Sequence, residues 1–330
     1  MNRSRSLRTG LFWGLAFLVF ALVPVLMTSR YQLNLASNVL VWGLFAVSFN
    51  MLWGVTGMLS FGQALYFGLG AYSVGLMAHH LGTLWYLPGL FVGLLAAAVL
   101  SFLLGLIVIR VSGVYFTMLT LAFGQLAWQI MFKWYDFTGG DDGIQGFSAP
   151  APLDNKIVYY YVILGVVFAS IWLLKRLAYS PFGLLLRCVN QNPQRVRFLG
   201  RRVRRNQLRI YIIASVFGAL AGGLMAGVDN SIHTDMLYWT TSGEVILMTV
   251  LGGINQFFGP FLGALVIILI EDIIGAYTEF WSLCIGVIIL IMVIGFPRGI
   301  VGEMHHLRMR LRPAKPAGAK SAMAVESEVR

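Results

Sequence analysis

The chain has 330 residues, of which 58% are hydrophobic and 11% are charged, and its formal net charge at pH 7 is +11. Soluble domains carry about 25% charged residues, and a soluble domain of this length could not bury so much apolar surface in one core. The composition therefore argues against a soluble protein and predicts one that uses lipid as its solvent.

The positive charge is concentrated, which argues against a nucleic-acid-binding protein. Residues 175–209 contain ten Lys and Arg residues and no Asp or Glu. Basic residues gathered beside hydrophobic segments are typical of cytoplasmic loops of membrane proteins. We therefore predict contact with membrane lipid and no nucleic-acid partner.

Apolar runs long enough to cross a bilayer recur along the chain. The eight clear runs are residues 11–27, 35–53, 59–78, 87–109, 114–132, 157–174, 210–228 and 280–296. The stretch 240–274 is interrupted by glycine and proline, and it fits either two short helices or one long tilted helix. The sequence predicts an all-α integral membrane protein, a polytopic bundle of roughly 8–10 transmembrane helices, some broken or re-entrant.

The charge distribution favours ten crossings with both termini in the cytoplasm. If the N-terminal arginines lie inside, alternating crossings place residues 175–209 inside as well. The basic C-terminal segment joins them only if 240–274 crosses twice. We therefore expect one transmembrane domain over residues 1–312, with a cytoplasmic loop at 175–209, and a disordered cytoplasmic tail at 313–330.

Two runs carry small residues at every fourth position, which places them on one helix face. Such faces let membrane helices approach closely, although Gly and Ala are also simply common in these helices. The residues predicted to pack in this way are Gly93, Ala97, Gly218 and Gly222.

Uncharged polar residues inside the apolar runs are candidates for a translocation path. The alternative is that they form hydrogen bonds between helices. Glycine-rich breaks at 54–75 and 252–260 favour a path, because broken helices at membrane depth line cavities. The predicted path residues are Asn50, Ser60, Gln63, Thr117, Thr120 and Gln125.

A short helix is predicted inside the basic loop. Asn192 suits the N-cap, Pro193 the first helical position, and Gly200 the left-handed stop just past the end. Val196 and Leu199, three residues apart, are expected to share a face. This helix could lie on anionic lipid, insert into a groove of a cytoplasmic partner, or remain a solvated loop.

Several short stretches, in this order, resemble the permeases of branched-chain amino acid ABC transporters, in particular the M-type subunit. They are Leu59-Ser60-Phe61-Gly62-Gln63, Gly70-Ala71-Tyr72, residues 113–123, residues 138–143, Ser180-Pro181-Phe182-Gly183, residues 192–200, Ser242-Gly243-Glu244, Leu251-Gly252-Gly253, Phe258-Gly259-Pro260 and Phe296-Pro297-Arg298-Gly299. The general permease loop pattern is Glu-Ala-Ala, three residues, Gly. Here the corresponding positions hold Gln194, Arg195, Val196 and Gly200, so only the glycine is retained.

The resemblance implies a multi-pass protein of the bacterial inner membrane and a set of partners. These are a second homologous permease subunit, two cytoplasmic ATPase subunits and a periplasmic solute-binding protein. It also implies that the 192–200 helix contacts an ATPase. The residues expected to couple to ATP hydrolysis are Pro193, Val196, Leu199 and Gly200.

The chain lacks a Gly-x-x-x-x-Gly-Lys-Ser/Thr loop, so we expect no ATPase activity and no bound cofactor, with ATP used by partner subunits. No catalytic or metal-binding constellation is predicted. The solute is expected to be a branched-chain amino acid or a similar small polar molecule. Alternatives are a urea or short-amide ABC importer permease, an ion-coupled secondary carrier or channel, and, with no supporting constellation, a polytopic membrane enzyme.

Overall fold

The computed structural model describes residues 29–277 apart from 148 and 152, together with 20–22, 24, 283, 286–288, 290, 295 and 299–303. The predicted runs 11–27 and 280–296 and the predicted tail 313–330 fall largely or wholly outside these residues. In chain order the elements are α1 (Arg30–Thr56), α2 (Gln63–Leu81), α3 (Tyr86–Val108), α4 (Val114–Lys133), α5 (Tyr135–Thr138), β1 (Ile144–Gln145), α6 (Lys156–Ala178), α7 (Pro181–Gln191), α8 (Pro193–Phe198), α9 (Val203–Asp229), β2 (Ser231–Ile232), α10 (Trp239–Gly252) and α11 (Gly259–Gly275).

Five helical segments of the described residues are long and apolar enough to cross a membrane. They are Arg30–Thr56, Thr83–Val108, Val114–Lys133, Lys156–Ala178 and Val203–Asp229. Each contains or closely matches a predicted apolar run. The prediction of an all-α polytopic membrane protein is confirmed, whereas the total number of crossings stays a prediction.

Two predicted runs take a more specific form in the structure. Within the predicted run 59–78, the helix begins only at Gln63. Residues 57–62, before it, are not helical. The ambiguous stretch 240–274 forms two helices, α10 and α11, which pack against each other as a hairpin. Gly252 and Gly263 allow this contact, since a Cβ on either would overlap backbone of the opposite helix.

The two ends of the bundle carry opposite charge. At one end, β1 pairs antiparallel with β2, with Ile144 opposite Ile232, and this joins the 136–145 segment to the end of α9. We call this the acidic end. Its aspartates are Asp136, Asp141, Asp142, Asp154, Asp229 and Asp235.

The opposite end, which we call the basic end, contains Arg110 and the segment 175–209. The start of α10 and the end of α11 both lie towards the acidic end. There the Tyr31 hydroxyl, near the start of α1, donates to Asp272 of α11. The hairpin tip reaches the far part of α1, where the Asn50 side chain donates to the Gln256 carbonyl oxygen at 3.3 Å.

Helix α2 packs mainly on α9 and α3. Its contact with α9 is backbone to backbone, because a Cβ on Gly222 would overlap the Phe67 carbonyl oxygen. Gly218 faces the Phe45 ring, and a Cβ placed on Gly218 would lie 3.3 Å from that ring. On α3, Gly93 faces Ser73 of α2 and Ala97 is fully buried. Close packing of this kind is how membrane helices associate without a hydrophobic drive.

We expect Gly222→Ala to reduce the stability of the purified protein by about 2 kcal/mol or more, because an added methyl group must push two backbones apart. Gly165→Ala on α6 is the matched control, since its added Cβ meets no described atom within 4 Å. Thermal unfolding in mild detergent measures both variants. Equal midpoints for the two variants would contradict the close packing of α2 on α9.

Candidate functional site

Residues Gly57–Gly62 form a non-helical link between α1 and α2, which we call the broken segment. Helix α1 stops at Gly57, whose φ of 73° lies in the left-handed region that glycine adopts without strain. The Gly57 N–H donates to the Trp53 carbonyl at 2.8 Å, and the Met58 N–H donates to the Leu52 carbonyl at 3.2 Å. These bonds satisfy the last turn of α1 and release the chain from helical geometry.

Threonines of α4 satisfy the middle of the broken segment. The Phe61 N–H donates to Thr120 Oγ1 at 3.2 Å, and the Thr117 hydroxyl donates to the Leu59 carbonyl at 3.0 Å. A buried backbone group without a partner costs about 1–3 kcal/mol, and more in lipid. These two hydroxyls therefore permit non-helical backbone inside the bundle.

Serines satisfy the last part of the segment and the start of α2. The Gly62 N–H donates to Ser60 Oγ at 3.3 Å, and the Ala64 N–H donates to Ser242 Oγ of α10 at 2.9 Å. Ser242 was absent from the predicted path residues. Its position in the Ser242-Gly243-Glu244 stretch was the available sequence signal.

The broken segment runs from the basic end to the middle of the bundle. Gln63, which follows it directly, lies beside Gly218 of α9. Gly218 is 15 residues beyond Val203, the start of α9, which corresponds to about 22 Å of helix. The hydrocarbon core of a bilayer is about 30 Å thick, so Gln63 lies well inside the membrane-spanning part.

The Gln63 side chain is fully buried, and neither atom of its amide has a hydrogen-bond partner among the described residues. Buried polar groups are almost always paired, so an unpaired amide at the end of a broken helix indicates a group that serves something other than the fold. Asn50 Oδ1 and Gln125 Nε2 are also buried atoms without a hydrogen-bond partner among the described residues.

The six predicted path residues are not all brought together. Ser60 lies in the broken segment, Gln63 follows it directly, and Thr117 and Thr120 donate to it or accept from it. Asn50 lies apart from them, against the turn between α10 and α11. Gln125 lies on α4 next to Gly124, which itself packs on Gly62. The structure thus separates a cluster of four residues from Asn50 and places Gln125 beside that cluster.

A cavity of about 480 Å³ lies between the broken segment and the basic loop. Gly57 and Leu59 line it on one side, and Asn190 and Pro193 line it on another. The Asn190 carboxamide covers Gly57 so closely that a side chain on Gly57 would overlap it. The basic loop and the broken segment are therefore in direct contact.

The predicted short helix of the basic loop is confirmed as α8. Asn192 caps it, with the Arg195 N–H donating to Asn192 Oδ1 at 3.0 Å, and Pro193 occupies its first position. Gly200 has a φ of 74° just past its end. The structure adds α7, which Ser180 caps through the Gly183 N–H at 3.3 Å.

Val196 and Leu199 do not share a face, so this part of the prediction is wrong. Val196 is buried against Val189 and Val203, whereas Leu199 is 79% exposed and Phe198 is 90% exposed. Leu199 still follows the helical turn, since its N–H donates to the Arg195 carbonyl at 3.2 Å, but Val189 and Val203 cover only the Val196 side of α8. Phe198 and Leu199 are exposed apolar side chains at the end of α8, next to the exposed Gln194, Arg195 and Arg197.

Among the described residues, no group of three or more His, Cys, Asp or Glu side chains is placed to hold a metal ion.

Helix α5 ends near the acidic end, where the Tyr135 hydroxyl donates to Asp142 Oδ2 at 2.6 Å. This hydrogen bond and the nearby carboxylate charge raise the pKa of Tyr135. The contact fixes the loop after α4, at the other end of the bundle from the 480 Å³ cavity.

Comparisons with known proteins identify the relatives of this chain. The model of a family described as branched-chain amino acid transport system / permease component matches residues 31–294. The high-affinity branched-chain amino acid transport system permease protein LivM of Escherichia coli K12 is 26% identical over 333 residues, covering 93% of this chain and 78% of that protein. No solved structure matches the chain.

More distant relatives include an archaeal protein and a sugar importer subunit. The probable branched-chain amino acid transport permease protein LivM of Methanocaldococcus jannaschii is 24% identical over 328 residues, covering 82% of this chain and 94% of that protein. The galactose/methyl galactoside import permease protein MglC of Salmonella typhimurium is 30% identical over 132 residues, which is 37% of this chain and 38% of that protein.

We expect Gln63→Met to lower solute uptake at least tenfold while leaving thermal stability unchanged or slightly higher. Met has nearly the shape of Gln, and losing an unpaired amide removes a desolvation cost. Gln129→Met, on the exposed side of α4, is the control and should leave uptake unchanged. Uptake in vesicles and unfolding in detergent measure the two effects. Normal uptake by Gln63→Met would show that the amide does not serve transport.

Proposed function

The chain belongs to the branched-chain amino acid transport system permease family, and we propose that it forms half of the membrane pathway of an ATP-binding-cassette importer for branched-chain amino acids or a similar small polar solute. The relatives named LivM agree with the M-type resemblance of the sequence. The protein is accordingly a multi-pass inner-membrane subunit that works with other subunits of the transporter and is not itself an enzyme.

The observation that carries the proposal is the broken segment with the unpaired amide of Gln63 at its inner end. Non-helical backbone at membrane depth is tolerated where it is buried in protein or lines a path. The side chains around it are hydroxyls and an amide, with no charge. Such groups can pass a zwitterionic solute by successive hydrogen bonds without the tight binding that a fixed charge would cause.

We place the basic end in the cytoplasm and both termini on the same side. Cytoplasmic loops carry an excess of Lys and Arg, and the described part of the chain separates its arginine-rich loop from its six clustered aspartates. The 480 Å³ cavity then opens towards the cytoplasm, and Gln63 lies between the two aqueous sides.

ATP hydrolysis by partner subunits drives the cycle in this proposal, since the sequence has no phosphate-binding loop of its own. Phe198 and Leu199 form an exposed apolar tip outside the bundle, of the kind that inserts into a groove on a partner. Pro193, Val196 and Gly200 hold this tip. The partners are two such ATPase subunits, a second homologous permease and a periplasmic binding protein.

A urea or short-amide importer of the same superfamily remains the nearest alternative, because a path of uncharged polar groups would serve it equally well. An ion-coupled carrier is less well supported. It would use a carboxylate near mid-depth. Glu271 lies near the end of α11, towards the acidic end, and Glu244, two residues after Ser242, has an exposed side chain, whereas Gln63 is fully buried.

The direct test is reconstitution. The chain purified in mild detergent should carry with it a second permease of similar size and an ATPase subunit. Vesicles containing this complex and the binding protein should import leucine only when ATP is present on the cytoplasmic side. Import driven by the purified chain alone, or by a proton gradient, would contradict the proposal.

In the same vesicles we expect Gly200→Val to raise the number of ATP molecules hydrolysed per solute several-fold. A β-branched residue at a φ of 74° costs of order 1–2 kcal/mol, so the backbone behind the Phe198–Leu199 tip should shift. Gly200→Asn is the matched control, because Asn tolerates this conformation. Equal coupling in the Val and Asn variants would contradict the docking role of α8.

A further inference from the structure

A second cavity, of about 340 Å³, lies at the basic end on the outer surface of the bundle. It is formed where α3 ends and α9 begins. Its lining consists of Gly105, Leu106, Ile109, Arg110, Arg204, Arg205 and Leu208. It shares Ile109 with the 480 Å³ cavity, but none of the proposed path or docking residues lines it.

Three arginines form the polar part of this cavity, which we call the arginine pocket. Arg110, Arg204 and Arg205 are all exposed, and no acidic side chain lines the pocket. The sequence explains the local excess of positive charge: residues 30–135 contain no Asp or Glu, and neither do residues 155–228. The Arg110 guanidinium is held in place, since its Nε donates to the Leu106 carbonyl at 3.1 Å.

The floor of the pocket is apolar and continues into an apolar stripe along α3. The stripe consists of Leu95, Val99, Phe102 and Leu106, which are 45–67% exposed and lie on one helix face. From Leu95 to Leu106 the helix rises about 16 Å, which is about half the thickness of the hydrocarbon core. The stripe therefore matches the length of an acyl chain in one leaflet.

We propose that the arginine pocket binds the phosphate of an anionic phospholipid whose acyl chains lie along the Leu95–Leu106 stripe. Basic pockets between membrane helices on the cytoplasmic side suit anionic headgroups. Guanidinium groups bind phosphate oxygens through paired, charge-assisted hydrogen bonds. The apolar stripe distinguishes this occupant from a free phosphate ion, which would gain nothing from it.

Such a lipid would join two helices that are far apart in sequence. Arg110 follows α3, and Arg204 and Arg205 open α9, the helix that continues from the proposed ATPase-docking segment. A headgroup held by all three arginines would fix the start of α9 relative to α3. The single negative charge of the phosphodiester would also reduce the mutual repulsion of the three neighbouring guanidinium groups.

The test uses the assembled transporter in nanodiscs and a fluorescent phosphatidylglycerol as the probe. The triple variant Arg110→Gln, Arg204→Gln and Arg205→Gln removes three guanidinium groups. Each lost charge should weaken phosphatidylglycerol binding about fivefold, so the three together should weaken it about 100-fold. Binding of the fluorescent phosphatidylethanolamine should change less than twofold. A triple Arg→Lys variant, which keeps the charge but loses the paired guanidinium hydrogen bonds, should bind phosphatidylglycerol more tightly than the Gln variant and more weakly than the unmodified protein.

The matched control also removes three positive charges, but from arginines of the basic loop that do not line the pocket: Arg187→Gln, Arg201→Gln and Arg202→Gln. It should leave phosphatidylglycerol binding within about threefold of the unmodified protein. Equal weakening in both triple variants would overturn the site in favour of a general charge effect. Displacement by millimolar inorganic phosphate would overturn the lipid in favour of a free anion. Unchanged lipid binding together with loss of the ATPase subunit from the pocket variant would show a protein-docking surface instead.

Discussion

Every polar group of the backbone must be satisfied within the membrane, and this requirement governs the centre of the structure. Residues 57–62 leave helical geometry between two helices and depend on neighbouring side chains for their hydrogen bonds. Thr117 and Thr120 of α4 supply them, and Ser242 of α10 accepts from the Ala64 N–H at the start of α2; both helices are distant in sequence. The position of α4 against α2 is therefore a condition for the broken segment to exist.

The same arrangement links the centre of the membrane to the surface. The broken segment begins under Asn190, at the cavity that Pro193 also lines, and ends at Gln63 beside α9. A displacement of α7 and α8 would press first on Gly57. Residues 59–62 make no hydrogen bonds to the backbone of α1 or α2, so they can move without unwinding either helix once their bonds to Thr117 and Thr120 open.

The sequence was sufficient to predict the helices and their class, because long apolar runs and small-residue faces are local signals. It also predicted α8, whose N-cap, first proline and terminal glycine are all encoded within nine residues. It did not predict that Leu199 would be exposed, since that depends on which side of α8 Val189 and Val203 cover. The exposed Phe198 was missed for the same reason.

The candidate path was predicted in part. Polar residues within apolar runs marked Ser60, Gln63, Thr117 and Thr120, which the structure brings together. The pattern could not separate them from Asn50, because the α10–α11 turn that contacts Asn50 lies about 200 residues away in sequence. Ser242 and the contact of Asn190 with Gly57 likewise depend on tertiary packing that no local spacing reveals.

The central claim is that the broken segment faces the moving solute. Ser60→Cys, in a background with Cys188 and Cys284 changed to Ser, tests it in the assembled transporter with a membrane-impermeant thiol reagent. The account predicts labelling in at least one nucleotide state and slower labelling when transported solute is present, while Ser101→Cys, buried on α3, stays unlabelled. Absence of labelling at position 60 in every state, or labelling that solute never slows, would contradict it.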